Sequence, residues 1–436
     1  MESLQIEGGK RLSGTVYVSG SKNASLPILA ATLLVGEPCT VHSVPVLSDT
    51  TLMCNLLSLL GCSVVREGGK VTLSVKDSTP FEAPYELVSR MRASICVLGP
   101  LLAARGRAKV ALPGGCAIGN RPVDLHLKGL AALGAEIEIK QGYIEARSKR
   151  LKGARMELEG AFGSSVLATA NVMMAATLAE GTTVICSAAR EPEIQDLAIF
   201  LNSCGAKISG AGTSTIEIEG VRRLHSSSYR VIPDRIEAGT FLLAGALTNS
   251  KITVKGALLH HLSSLIEKME ISGIAFEKEP DTLTVLPRSV PIKPVTITTA
   301  PYPGFPTDLQ AQMMAFLSLA DGVSIITEGG FPERFAHIAE LNRMGANITK
   351  QGASAKVTGV KKLCGAPVSA TDLRASAALV LAALASEGVT TISNIEHIDR
   401  GYERIEEKFN SLGASIKRIG AATSYETLQK RLTDVA

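Results

Sequence analysis

The stretch AATLAEGTTVICSA (Ala175–Ala188) carries the pattern that decides the fold: an apolar helical run, a glycine, then a β-branched strand. The same order returns at LAATLLVGEPCTVHSV (Leu29–Val44), FLSLADGVSIITEG (Phe316–Gly329) and LAALASEGVTTISNI (Leu381–Ile395). Weaker copies stand at LLAARGRAKVALPGG (Leu101–Gly115) and LLAGALTNSKITVKG (Leu242–Gly256), where Asn249 replaces the glycine. A glycine in that place predicts a left-handed cap closing each helix. After each copy comes a second helix that ends in a glycine and runs into another strand, as in LLSLLGCSVV, GLAALGAEIEI, FLNSCGAKIS, KMEISGIAF, ELNRMGANIT and KFNSLGASIK. These second glycines are Gly61, Gly134, Gly205, Gly273, Gly345 and Gly413, so the period is about 70 residues. The spacing predicts an α/β fold of six units, each with strands and two helices. One helix per unit is almost wholly Ala, Leu, Val and Ile, which predicts burial on all sides rather than on one face.

Three units per group predict two similar lobes with a cleft between them. The crossing is expected near Tyr229–Thr240, with a second near Ser19–Lys22, because a strand over 12–18 precedes the first repeat helix. Residues 1–21 then join 233–436 in a C-terminal lobe, and 22–232 form an N-terminal lobe. The residues from Ala421 fall outside the repeat and predict a terminal helix or a frayed tail.

At 436 residues the chain exceeds a single core, and 45% hydrophobic content marks an ordered globular protein. There is no Trp, aromatics make up only 4%, and 45 basic residues nearly balance 41 acidic ones. That excludes a nucleic-acid scaffold, while leaving room for a local basic site for phosphorylated small molecules. Its first twenty residues alternate like a strand and carry no signal-peptide core, and no apolar run is long enough to span a bilayer. A cytoplasmic protein, monomeric or weakly oligomeric, is expected. The eight cysteines form no CxxC pair and the seven histidines no metal-ligand spacing, so free thiols and no structural metal are expected.

Chemistry gathers at the junctions of the repeats. LPGGCAIGNRPVDLH (Leu112–His126) puts Cys116 on a glycine-preceded loop with Arg121 close behind, the makings of a lid with a proton donor and an anion clamp. SGSKNASLP sets Lys22 and Asn23 at the start of an apolar helix, where an anion would meet the helix N–H groups. VSRMRASI places Arg90 and Arg92 before another buried helix. Asp308, in PGFPTDLQAQ, stands at a helix start and is either an N-cap or a catalytic carboxylate. SATDLRAS carries Asp372 and Arg374, and IDRGYERIEEK carries Asp399, Arg400, Glu403 and Arg404; taken singly, these arginines read as surface ion pairs.

Taken together and in order, SGSKNASLPILAA, MRASI–LGPLLA, LPGGCAIGNRPVDLH, AREPEI–D, YRVIPDRIEAGTF, FPTDLQAQ, TDLRASAALVLA and HIDRGYERIEEK resemble the enolpyruvyl transferases that act on UDP-N-acetylglucosamine. The resemblance runs from about Lys22 to Arg404. It implies a pair of inside-out α/β barrels and transfer of the enolpyruvyl group of phosphoenolpyruvate to the sugar 3-hydroxyl, the step that opens peptidoglycan synthesis. It implies neither metal nor organic cofactor. Lys22, Arg121 and Arg400 match the phosphoenolpyruvate clamp, where arginine forks suit carboxylate and phosphate. Cys116 matches the general acid and adduct site, and a thiol with a pKa near ~8.5 starts protonated. Asp308 matches the carboxylate that takes the hydroxyl proton, and Asn23 a contact to the sugar and the tetrahedral intermediate. Arg92, Asp372 and Arg374 match supporting positions. Arg121, Pro122, Val123, Asp124 and Leu125 match the segment along uridine, and Ser165 and Val166 the diphosphate and ribose contacts.

Three positions depart from the family's pattern: Leu167 stands where glycine is usual, Gly163 where a basic residue is common, and Gly330 where a branched apolar residue lies near the sugar. They bear on nucleotide affinity rather than on the reaction. Two other functions remain open at this stage: an enolpyruvyl transferase acting on shikimate 3-phosphate, and a non-catalytic nucleotide-sugar-binding paralogue. The PGGC loop and RPVDLH segment count against the first, and the intact set of Lys22, Cys116, Arg121, Asp308 and Arg400 against the second.

Overall fold

A computed structural model of the chain describes residues 2–113 and 123–420. Cys116, Arg121, Pro122 and the tail from Ala421 therefore lie outside the described residues. The architecture is mixed α/β, with six four-stranded sheets and one two-stranded sheet among the described residues.

The four-stranded sheets share one plan: an edge strand runs parallel to its neighbour, and two further strands follow antiparallel. In one, Ser228–Arg230 lies parallel to Cys39–His42, which is antiparallel to Lys70–Val75, itself antiparallel to Cys62–Glu67. Another takes Thr296–Thr298, Val323–Thr327, Ser354–Thr358 and Asn347–Gln351 in the same relation. The strand expected over 12–18 is Ser13–Tyr17, the parallel edge beside Lys251–Lys255. An additional strand, Ser3–Glu7, is held antiparallel between Val389–Ser393 and Ser415–Ile419. Alternation sets which face is buried. In TIEIE (Thr215–Glu219) the two isoleucines are buried and the other three residues exposed.

The most apolar helices are Lys22–Ala31, Leu98–Arg105, Val166–Ala176, Arg235–Leu247, Gln310–Leu317 and Leu373–Ala385. Every residue of Gln310–Leu317, and every residue from Ile236 of Arg235–Leu247, is buried. No polar face is left to turn toward water.

The glycines divide into two kinds. The second-helix set (Gly61, Gly134, Gly205, Gly273, Gly345, Gly413) all have φ between 86° and 95° and stand just past a helix end. At five of them the next residue's N–H reaches back five residues, as in Ala346 N to Leu341 O at 3.1 Å, the Schellman closure. The expectation for the first-helix glycines needs correction. Only Gly106 is itself the cap, with Asn249 taking the left-handed place after its helix. Gly181, Gly322 and Gly388 lie beyond their helices in the turn before the strand, and Gly36 has no positive φ. Those turns must reverse the chain within a few residues, so the left-handed residue is needed at the turn and not at the helix end.

By contact density, residues 2–19 with 233–420 form one compact unit, and 20–113 with 123–232 another. Each has its own apolar core. Leu4, Phe241, Phe316 and Phe409 are buried in the first, Ile28, Met53 and Phe200 in the second. No helix among the described residues is long and apolar enough to cross a membrane.

Candidate active site

In the unit that holds residues 233–420, the site is built around Asp308. Pro306 is the extended residue before the 3-10 turn Thr307–Leu309, and no side chain caps that turn. The N-cap alternative for Asp308 is therefore overturned: its carboxylate turns to two guanidinium groups instead. Arg334 Nη1 donates to Oδ1 at 2.8 Å and Arg374 Nη2 to Oδ2 at 2.9 Å. Both arginine side chains are nearly buried, at 7% and 3% exposure, while that of Asp308 keeps 26%. Burial works to raise the Asp308 pKa, but Arg374 and Arg334 together hold it well below the usual carboxylate range. Asp308 is thus ionised at neutral pH and faces partly outward.

Arg374 is no surface ion pair. It lies in the first turn of Leu373–Ala385, where Asp372 is the N-cap, accepting from Arg374 N at 2.8 Å and Ala375 N at 3.1 Å. Its Nη1 reaches the Tyr402 hydroxyl at 3.4 Å, which also meets Thr240 at 3.0 Å and Gln312 at 3.1 Å. Arg400 ends the 3-10 helix Ile395–Arg400 and is half-buried. Asp399 beside it is pinned by Arg418 through two hydrogen bonds of 2.8 and 3.0 Å. Arg404, in an exposed pair with Glu407 at 3.5 Å, answers to the surface description.

The unit of residues 20–232 carries the other group. Ser21 caps Lys22–Ala31, so Lys22 is the first helical residue, and its Nζ meets Asp49 Oδ2 at 2.8 Å with both side chains almost fully buried. Asn23 follows and is half-buried. Arg92 opens the 3-10 helix Arg92–Val97. His126, from the VDLH segment, is buried, and its Nδ1 faces Asn171 Nδ2 at 2.9 Å. Burial first, then the charge of Arg92, lowers its pKa to about 3, so the imidazole is neutral. Ser165 Oγ caps Val166–Ala176, accepting from Ala168 N at 3.3 Å, with Val166 as the first helical residue. Val123 precedes Asp124–Ala132, Asp124 is exposed, and Leu125 is buried against Gly160.

The family described as EPSP synthase (3-phosphoshikimate 1-carboxyvinyltransferase) matches residues 6–409. The UDP-N-acetylglucosamine 1-carboxyvinyltransferase 2 of Carboxydothermus hydrogenoformans is 54% identical over 96% of this chain and 100% of its own. The chain belongs to this family of enolpyruvyl transferases. A UDP-N-acetylglucosamine 1-carboxyvinyltransferase of Methylacidiphilum infernorum is 52% identical over 96% of this chain and 99% of its own. Among solved structures, the enolpyruvyl transferase NikO of Streptomyces tendae superposes with a TM-score of 0.87 at 26% identity, over 97% of this chain and 99% of that one. An EPSP synthase of Acinetobacter baumannii shares the fold with a TM-score of 0.75 at 18% identity, over 96% of this chain and all of that one.

Within this enolpyruvyl transferase the structure draws Asp308, Arg374 and Asp372 into one cluster. Lys22 belongs to the other unit, where it pairs with Asp49. Sequence reading missed Asp49, Arg334 and Tyr402. Arg334 sits in the GGFPERF segment, yet no local spacing announces that it turns to Asp308. Gly330 has open space around a built Cβ and no positive φ, so a larger side chain fits there.

Proposed function

We infer that this chain transfers the enolpyruvyl group of phosphoenolpyruvate to the 3-hydroxyl of UDP-N-acetylglucosamine, releasing phosphate, the first committed step of peptidoglycan synthesis. The observation that carries the reading is identity above 50% to named UDP-N-acetylglucosamine 1-carboxyvinyltransferases over 96% of the chain. In the addition step, Asp308 takes the hydroxyl proton as the sugar oxygen attacks C2 of phosphoenolpyruvate, while Cys116 protonates C3. Loss of a C3 proton with phosphate then leaves the enol ether. Its ionised state and partial exposure support the role of Asp308 as base. Lys22, Arg121 and Arg400 neutralise the phosphoenolpyruvate anion, with Arg92, Asp372 and Arg374 holding the surroundings. Asn23 binds the sugar and the tetrahedral adduct. Pro122, Val123, Asp124 and Leu125 lie along the uridine with Arg121. Ser165 and Val166, at a helix start, take the diphosphate, and Gly330 lies by the sugar.

The finer architecture we propose is a pair of inside-out α/β barrels of three repeats each, with boundaries near residues 21 and 232. Six sheets of one plan and the division into two compact units support it. Both substrates are metabolites of the cytoplasm, which supports a cytoplasmic enzyme, monomeric or weakly oligomeric.

The test is phosphate release from phosphoenolpyruvate with UDP-N-acetylglucosamine or shikimate 3-phosphate as acceptor, with and without pre-incubation with the thiol-alkylating epoxide fosfomycin. Release with the nucleotide sugar alone, abolished by the epoxide, is expected. Release with shikimate 3-phosphate alone would reassign the acceptor, and release with neither would make the chain a non-catalytic binder.

A further inference from the structure

Glu328 lies directly after the strand Val323–Thr327, and its residue is 2% exposed. Three hydroxyl contacts surround its carboxylate. Thr299 Oγ1 donates to Oε2 at 2.8 Å, and Thr307 Oγ1 lies 3.0 Å from Oε1 and 3.1 Å from Oε2. The same Thr307 oxygen accepts from Arg334 Nη1 at 3.0 Å, and that guanidinium nitrogen also donates to Asp308 at 2.8 Å. A hydrogen-bonded line therefore joins Glu328 to Asp308 through one hydroxyl and one guanidinium, all within a single compact unit.

We propose that Glu328 is a positioning residue that sets how strongly Asp308 holds a proton, acting through Thr307 and Arg334. The proposal rests on the reading of Asp308 as the base. With two guanidinium groups on its carboxylate, Asp308 alone is a weak base. An ionised Glu328 adds a negative charge to the cluster, offsets Arg334, and raises the proton affinity of Asp308. Linkage makes the effect mutual: a protonated Asp308 in turn favours the ionised form of Glu328.

The charged groups facing Glu328 are Arg334 and Asp308, with Arg374 behind Asp308; Thr299 and Thr307 complete its surroundings. Buried His337 answers to Asp372 and Arg334. Burial raises the Glu328 pKa to about 7, with the Asp308 charge adding to it, against the hydrogen bond from Thr299, the charge of Arg334 and the hydrogen bond from Thr307. The switch therefore falls in the working pH range.

The experiment is the pH profile of kcat for UDP-N-acetylglucosamine in the wild type, Glu328→Gln, Thr307→Val and Thr307→Ser. Wild-type kcat is expected to rise with pH through an inflection near 7. Glu328→Gln is expected to lack that inflection and stay at the low-pH rate, about tenfold below wild type on the alkaline side for one unit of pKa coupling, with KM unchanged. Thr307→Val is expected to weaken the inflection, and Thr307→Ser, which keeps the hydroxyl, to retain it. A wild-type inflection persisting in Glu328→Gln would overturn the proposal and leave the function intact. Should Glu328→Gln fail to fold, identical profiles for the two Thr307 variants would overturn it equally. A wild type that turns over neither acceptor would instead overturn the function, and this role with it.

Discussion

A carboxylate gripped by two nearly buried guanidinium groups has a use and a cost. Its charge is kept, and removing it strands two cations. Asp308→Asn is accordingly expected to lower kcat by at least about 100-fold, the range for a lost general base, and to destabilise the fold by about 3 kcal/mol, read from steady-state kinetics and urea unfolding. Lys22→Gln removes the cation 2.8 Å from buried Asp49, so a loss of stability in the same unfolding measurement is expected, even without substrate. A loss of turnover with unchanged stability would mean that Asp49 is satisfied by other partners. Lys22 and Asp308 stand in motifs that the sequence singles out. Their partners were not legible there, because Arg334 and Asp49 lie 26 and 27 residues away and only folding brings them within hydrogen-bond reach.

The glycines show most clearly what an element requires. Gly345 stands past the helix His337–Arg343 at φ 92°, and a Cβ there would meet nothing within 4 Å. Gly345→Ala is therefore a clean measure of backbone strain, with an expected cost of about 1–2 kcal/mol by urea unfolding. Gly330→Val has neither crowding nor positive φ against it, so stability should hold and only KM for the nucleotide sugar should move. Helix packing also carries a pH dependence. His126 joins Asp124–Ala132 to Val166–Ala176 through Asn171, and its folded pKa is near 3 against about 6.5 unfolded. The folded state binds the proton less well, so this contribution is whole above pH 6.5 and lost as pH falls toward 3, at most about 1.4 kcal/mol per unit. Between pH 7 and 5 the urea midpoint of His126→Gln should therefore fall less than that of the wild type. The repeated helix–glycine–strand order was readable because periodicity is local. Whether a glycine caps a helix or serves a turn beyond it was not, since that depends on where the next strand must start.

Across the whole molecule the two apolar cores make a thermal prediction. Phe200 and Phe409 are fully buried, one in each unit. Each truncation to Ala should cost about 3–5 kcal/mol, and calorimetry should show the two variants lowering different parts of the unfolding endotherm. Equal displacement of one undivided transition would mean that both cores melt as one. The sequence by itself determined the α/β class, the apolar helices, the period of about 70 residues and the motifs that mark the family, because each rests on residues near one another in the chain. Tertiary structure alone decided that Asp308 is an ion-paired carboxylate instead of a helix cap, that Arg374 is buried, and that Ser3–Glu7 pairs with strands near the far end of the chain. The physical reason is that charge pairing and strand pairing act across space, between residues whose separation along the chain carries no signal of their meeting.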